Sequence, residues 1–181
     1  MARKKALIDF SKKHNLKIGT IADLINYRIF NEQTVKRLES KSVKTEHGRF
    51  NLILYKDLIF EETHIVLQKG RISKNTSTLV RVQQSNLYHD LLNVDEFGTR
   101  WSISDAMRKI NKAGNGIILL IDGDNNKESE FKEIRASKKK RKNTPNNDPR
   151  RIGIGSQILR DLGVKKIKLM GSEVRYPSLS K

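Results

Sequence analysis

The 181-residue sequence contains no cysteine. Disulfides are therefore excluded, and so are the thiolate ligands on which most structural zinc sites depend. The four histidines, His14, His47, His64 and His89, are widely spaced and form no H-x3-H or H-E-x-x-H pattern. A metal site would have to be assembled from scattered imidazoles and carboxylates. Long apolar runs are missing too: the longest, "GIILLI" at 116–121, has the length of a buried strand and falls far short of the roughly 18 residues that cross a bilayer. No apolar core or small-residue cleavage site follows the basic start Met1-Ala-Arg-Lys-Lys, so no membrane partner and a cytoplasmic location are expected. Acid is in short supply, with 20 Asp and Glu against 37 Lys and Arg and a net charge of +17. Such a surplus favours anionic partners, among them nucleic acid and nucleotide phosphates. Residues 135–151 hold eight of the basic residues and one acid, Asp148. The cluster Lys138, Lys139, Lys140, Arg141 and Lys142 is a candidate anion patch with no aromatic residue inside it, and a solvated mobile loop is the plainer reading.

What is present patterns as a mixed α and β chain. The first 40 or so residues read as helical. Ala6, Leu7 and Phe10 share a face before a stop at Asn15, and Thr20 with Asp23 forms a capping-box signal opening a second helix over 21–29. In that helix Ile21, Leu24, Ile25 and Ile29 recur at helical spacing and make an apolar stripe that needs a partner surface. From residue 44 the period becomes two. "RFNLILYKD" (49–57), "THIVLQKG" (63–70) and "STLVRVQQ" (77–84) read as strands of an antiparallel sheet. Helix and strand then alternate: "SISDAMRKINKAG" (102–114) carries a Ser or Asp cap and a terminal Gly114, followed by the strand "NGIILLID", a polar stretch over 122–151, the helix "IGSQILRDLG" (154–163) and the strand "KKIKLM". Gly153 and Gly155 beside that last helix are candidate anion-binding positions, with close packing as the competing use.

Three stretches resemble one pair of families. "DFSKKHNLKIGTIADLINYR" (9–28) is similar to the carboxy-terminal tail of dihydroxybutanone phosphate synthase. "TEHGRFNLILYKD" with "HIVLQKG" and "LVRV" (45–82), and "DPRRIGIGSQILRDLGVKKIKLM" (148–170), resemble GTP cyclohydrolase II. The two activities are often fused in that order in riboflavin biosynthesis. The resemblance implies residues 1–43 as the helical tail of an upstream synthase domain, a lyase, and residues 44–181 as a cyclohydrolase-II-like α/β domain that forms a homodimer. Within the latter, 122–151 is expected to be a mobile basic loop.

Against the family pattern the chemistry is altered. The family's three zinc thiolates include a C-x-C pair, and here those two positions are Ser102 and Ser104. The first thiolate has no counterpart in "QQSNLYHDLLNVDE" (83–96), although Arg81, Val82, Phe97 and Gly98 match around it. Serine ionises too reluctantly at neutral pH to replace a thiolate, so no zinc or other cofactor is expected. The family's arginine- and glycine-rich phosphate loop is replaced by "LLIDGDNNKESE", where Asp122 and Asp124 repel phosphate, and its catalytic tyrosine by Ser137. The expectation is a catalytically silent domain that supports or regulates the synthase half. Two alternatives stand beside it: a basic nucleotide- or RNA-binding sensor, and residual cyclohydrolase activity through another metal arrangement.

Overall fold

In the computed structural model residues 4–84, 90, 101–122 and 149–171 are described. The chain divides into two units, Met1–Gln33 and Thr34–Lys181. The first contains helices α1 (Lys4–Lys13) and α2 (Ile21–Asn31). Asn15 stops α1 with a positive φ of 51°, a conformation that asparagine tolerates better than most residues. The predicted capping box opens α2: Thr20 Oγ1 accepts the Asp23 amide at 3.0 Å while the Asp23 carboxylate accepts the Thr20 amide at 3.2 Å. Both helices leave apolar side chains in water, with Ile21 78 % and Leu24 58 % exposed.

The second unit is a six-stranded sheet between two helices. Its strands are β1 (Val35–Thr45), β2 (Gly48–Asp57), β3 (Thr63–Lys69), β4 (Thr78–Gln84), β5 (Gly116–Ile121) and β6 (Ile167–Leu169), in the order β1-β2-β3-β5-β4-β6. Helix α3 (Ile103–Ala113) lies on one face and α4 (Pro149–Asp161) on the other.

Alternation sorts the core. Ile117, Leu119 and Ile121 of β5 pack with Val66, Val80, Tyr55 and the α4 residues Ile154, Ile158 and Leu159, whereas Ile118 packs with Phe50, Leu67 and the α3 residues Ala106, Met107 and Ile110. A strand apolar at every position needs cover on both faces. This is why β5 inserts between β3 and β4, two strands that the sequence pattern places in one antiparallel sheet. β3 pairs with β5 antiparallel, while β4 pairs parallel with both β5 and β6.

The helical reading of the first 43 residues holds only to Asn31, because Val35–Thr45 is strand β1. Apart from Val35 this strand is almost wholly exposed, with Lys36, Arg37, Glu39, Lys41 and Lys44 along it and a register shift between Arg37 and Glu39. Charges and a bulge protect a sheet edge from stray pairing, and they also erase the apolar alternation by which a strand is recognised. The last helix begins at Pro149, earlier than the 154 read from the sequence; proline suits a first helical position because its missing N–H would have no partner there.

Candidate functional site

The connection from β4 to β5 runs through α3 on one face, and that from β5 to β6 through α4 on the other. β4 and β5 are parallel neighbours in register from Val80↔Ile117 to Gln84↔Ile121, so their carboxyl ends flank a topological switch point, where open α/β sheets hold their ligands. The polar side chains gathered here come from distant segments. Arg151, in the first turn of α4, donates to Gln84 Oε1. Gln83 donates through Nε2 to Asp90 Oδ1, and its own Oε1 accepts from Arg81 Nε at 3.1 Å. The Arg81 guanidinium also reaches the Met170 carbonyl at 2.9 Å and the Trp101 carbonyl at 3.3 Å, tying β4 to the end of β6 and to the entrance of α3. Trp101 is partly buried beneath Lys109, whose ammonium lies 4.4 Å from the ring centroid.

Ser102 and Ser104 sit at that entrance. Ser102 is the N-cap of α3: its Oγ accepts the Asp105 amide at 3.0 Å and donates to the Asp105 carboxylate at 2.8 Å. Gly114 closes the helix in the left-handed conformation, as the sequence signalled. Ser104 Oγ lies 2.6 Å from His47 Nε2, and the same nitrogen is 2.9 Å from Glu46 Oε1. Glu46 and His47 form the turn between β1 and β2, so this bond clasps the hairpin to α3. Gly48, the first residue after that turn, has a φ of 110°, a conformation that L side chains rarely adopt, so the turn demands glycine.

The donor set at these serines is two hydroxyls, one given to a helix cap and one to an imidazole. It does not fit the thiolate coordination of the family's zinc. A Ser–His pair can also be a nucleophile and its base, but the relay then requires the carboxylate on the other ring nitrogen. Here Glu46 shares Nε2 with Ser104, and the arrangement is a clasp.

A second cluster lies at the end of the β2–β3 hairpin, where donor atoms of Asp57, Glu62 and His64 fall within 4.8 Å of one another. Asp57 and His64 are buried. Both take part in the local backbone: Asp57 Oδ1 accepts the Ile59 and Phe60 amides at 2.8 and 3.4 Å, and His64 Nδ1 accepts the Asp122 amide at 3.1 Å. That last bond leaves the Nε2 proton in place on neutral imidazole, so the ring cannot offer Nε2 to a metal without breaking it. The cluster instead fixes the end of β5 against β3. The sequence pattern reads 49–57 and 63–70 as two strands and gives no weight to the D-x4-E-x-H spacing across their junction, which brings the three together.

The third cluster, Arg37, Tyr55 and Asp161, is pinned across β1, β2 and the end of α4. Tyr55 donates to Asp161 Oδ2 at 2.6 Å, and Arg37 donates to the same oxygen at 2.7 Å. Burial pushes the Tyr55 hydroxyl well above its ordinary range, and the Asp161 carboxylate adds to this. Burial works against ionisation of Asp161, but hydrogen bonds from Tyr55 and Arg37 outweigh it and hold the carboxyl below its usual value. Residues 106 and 124 positions apart give no local signal of such a contact.

Of the other anticipated site residues, Gly153 and Gly155 lie inside α4, beyond the first turn where N–H groups are free for an anion. Gly155 faces the sheet, and a Cβ there would touch Ile121 and Leu119 at 3.4 and 3.6 Å. Ser137, Lys138, Lys139, Lys140 and Arg141 lie outside the described residues, as does nearly all of the expected loop over 122–151. Among the described residues no helix is long and apolar enough to cross a membrane.

Comparison with known proteins agrees with this architecture. The family model for GTP cyclohydrolase II matches residues 36–181. The chain is 40% identical over 183 residues to a 3,4-dihydroxy-2-butanone 4-phosphate synthase of Photobacterium phosphoreum, covering 99% of this chain and 50% of that protein. It is 35% identical to the riboflavin biosynthesis protein RibBA of Aquifex aeolicus, covering 97% of this chain and 46% of that one. The crystal structure of RibBX, a two domain 3,4-dihydroxy-2-butanone 4-phosphate synthase from A. baumannii, superposes with a TM-score of 0.59 at 36% identity, over 99% of this chain and 47% of that one. The chain thus spans about half the length of the relatives it matches. By the match over its sheet unit, this chain belongs to the GTP cyclohydrolase II family.

Proposed function

We propose that this is a catalytically silent cyclohydrolase-II-like domain of a riboflavin-biosynthesis polypeptide, acting by supporting or regulating a dihydroxybutanone phosphate synthase half upstream of it. The observation that carries the reading is the fate of the C-x-C positions: Ser102 is spent on capping α3 and Ser104 on His47, in a chain without any cysteine. Asp122 at the end of β5, where the family presents its phosphate loop, supports it. The helical unit Met1–Gln33 is then the tail of the synthase, with the α2 stripe part of the coupling, and the protein is a cytoplasmic homodimer without zinc. The test compares a polypeptide carrying the synthase half and this chain with one truncated ahead of β1. Equal synthase rate, thermal stability and oligomeric state in the two would sink the reading.

A second reading draws on the net charge of +17: a nucleotide- or RNA-binding sensor, with Lys138 to Arg141 as its anion patch. It predicts affinity for single-stranded RNA or GTP that falls steeply across a salt series, and no binding at low salt eliminates it. Residual cyclohydrolase activity is the third. It requires stoichiometric metal in the purified chain, which elemental analysis decides.

A further inference from the structure

The turn joining β2 to β3 is built with its polarity inverted. Surface turns normally show polar side chains to water. Here Leu58, Ile59 and Phe60 are 55, 46 and 51 % exposed in a row, while the polar residue before them, Asp57, is buried and, of Glu61 and Glu62 after them, only Glu61 is exposed. The tip is also held in shape. The Asp57 carboxylate takes the Ile59 and Phe60 amides, and the Asp57 amide donates to the Glu62 carbonyl at 2.9 Å. Lys56 donates to the Glu61 carbonyl, and Glu61 adopts a positive φ of 59°. The Leu58 amide donates to the Thr34 carbonyl at 2.8 Å. An apolar surface fixed in advance loses little conformational entropy when it is covered, which is what a docking element requires.

We propose that this tip is a docking knob for the synthase half that the longer relatives carry and this chain does not span. Two observations choose that occupant. The relatives matched over nearly all of this chain are about twice as long, and the solved one is a two domain protein. The knob is bonded to Thr34, the first residue of the sheet unit, so it lies where the polypeptide arrives from its amino-terminal side. The upstream placing of the synthase rests on the proposed function above.

The test measures association in trans by sedimentation velocity and surface plasmon resonance. The full 181-residue chain is mixed with the unmatched half of the Photobacterium phosphoreum relative, and separately with that of the A. baumannii relative, each half first shown by circular dichroism and cooperative urea unfolding to be folded. The expected result is binding that weakens at least tenfold in a Leu58→Ser, Ile59→Ser, Phe60→Ser variant whose urea midpoint is unchanged. If that variant fails to fold, Phe60→Ser alone is expected to weaken binding severalfold. Equal binding by wild type and folded variant overturns the knob and leaves the association reading standing. Absence of binding to either half by the wild type overturns both. A change in self-association alone assigns the knob to a second copy of the chain and overturns the proposal.

Discussion

Removing Asp161 should destabilise the protein more than removing the tyrosine that contacts it, and the reason lies in what each change leaves behind. Tyr55 is fully buried, with its hydroxyl donating to Asp161 and accepting from Arg37 Nε at 3.2 Å. In Asp161→Ala the hydroxyl keeps its donor and loses its acceptor. An unsatisfied buried donor costs about 1–3 kcal/mol, and the loss of Arg37's ion pair adds little, since that pair is 44 and 35 % exposed. Tyr55→Phe removes donor and acceptor together and leaves Asp161 paired with Arg37, so about 1 kcal/mol is expected. The acid dependence follows from Asp161, whose carboxyl is held below its unfolded value. Its contribution is therefore present above the unfolded carboxylate range and is lost as pH falls through the folded value. Urea unfolding of wild type and both variants at pH 7 and pH 3 checks this. An Asp161→Ala cost no larger than that of Tyr55→Phe, or a wild-type advantage over Tyr55→Phe undiminished at pH 3, would refute the reasoning.

Gly155→Ala should stabilise by about 0.5–1 kcal/mol in urea unfolding, because the new Cβ meets Ile121 and Leu119 at ordinary contact distance and alanine is the better helix former; destabilisation by more than that would show a tighter fit than these distances allow. Ser102→Ala should cost about 1 kcal/mol through loss of the α3 cap. Ser104→Ala should instead raise amide exchange at the β1–β2 turn, where it releases His47, and exchange left unchanged there contradicts the clasp. The double variant Ser102→Cys, Ser104→Cys should not gain GTP hydrolysis, since a third thiolate and a basic phosphate loop are both lacking; recovered turnover with bound zinc would overturn the silent-domain reading.

Legibility followed the range of the forces involved. Elements set by local chemistry were readable: the Thr20 and Asp23 capping box, the α3 cap and its Gly114 terminator, and the strands β2 to β5 all fall where pattern and turn residues place them. β1 was not, because its charges protect an edge and hide its period. The strand order was half visible. Six consecutive residues from Gly116 to Ile121 require two covered faces, which argues for a central strand but cannot name its neighbours. The clusters that pin the sheet were invisible, since Arg37, Tyr55 and Asp161 meet only after the sheet has brought β1 and β2 beneath α4.

On the silent-domain reading proposed above, this division bears on how the scaffold keeps its supports without the family's zinc positions. Among the described residues, polar contacts that hold the sheet unit include Tyr55 with Asp161, Gln157 with Thr34, the Asp57 and His64 knot, and Arg81 with the carbonyls of Met170 and Trp101. None of them uses Ser102 or Ser104. Substitution at the C-x-C positions therefore leaves the sheet's own supports untouched, provided the helix beginning there keeps a cap. Serine meets that condition well: at an N-cap its hydroxyl accepts an otherwise unsatisfied amide. At Ser104 the same side chain gains His47 and joins the β1–β2 turn to α3. A hydroxyl in each place therefore serves the fold directly, one as a helix cap and one as the partner of His47, which is what the silent-domain reading proposed above requires.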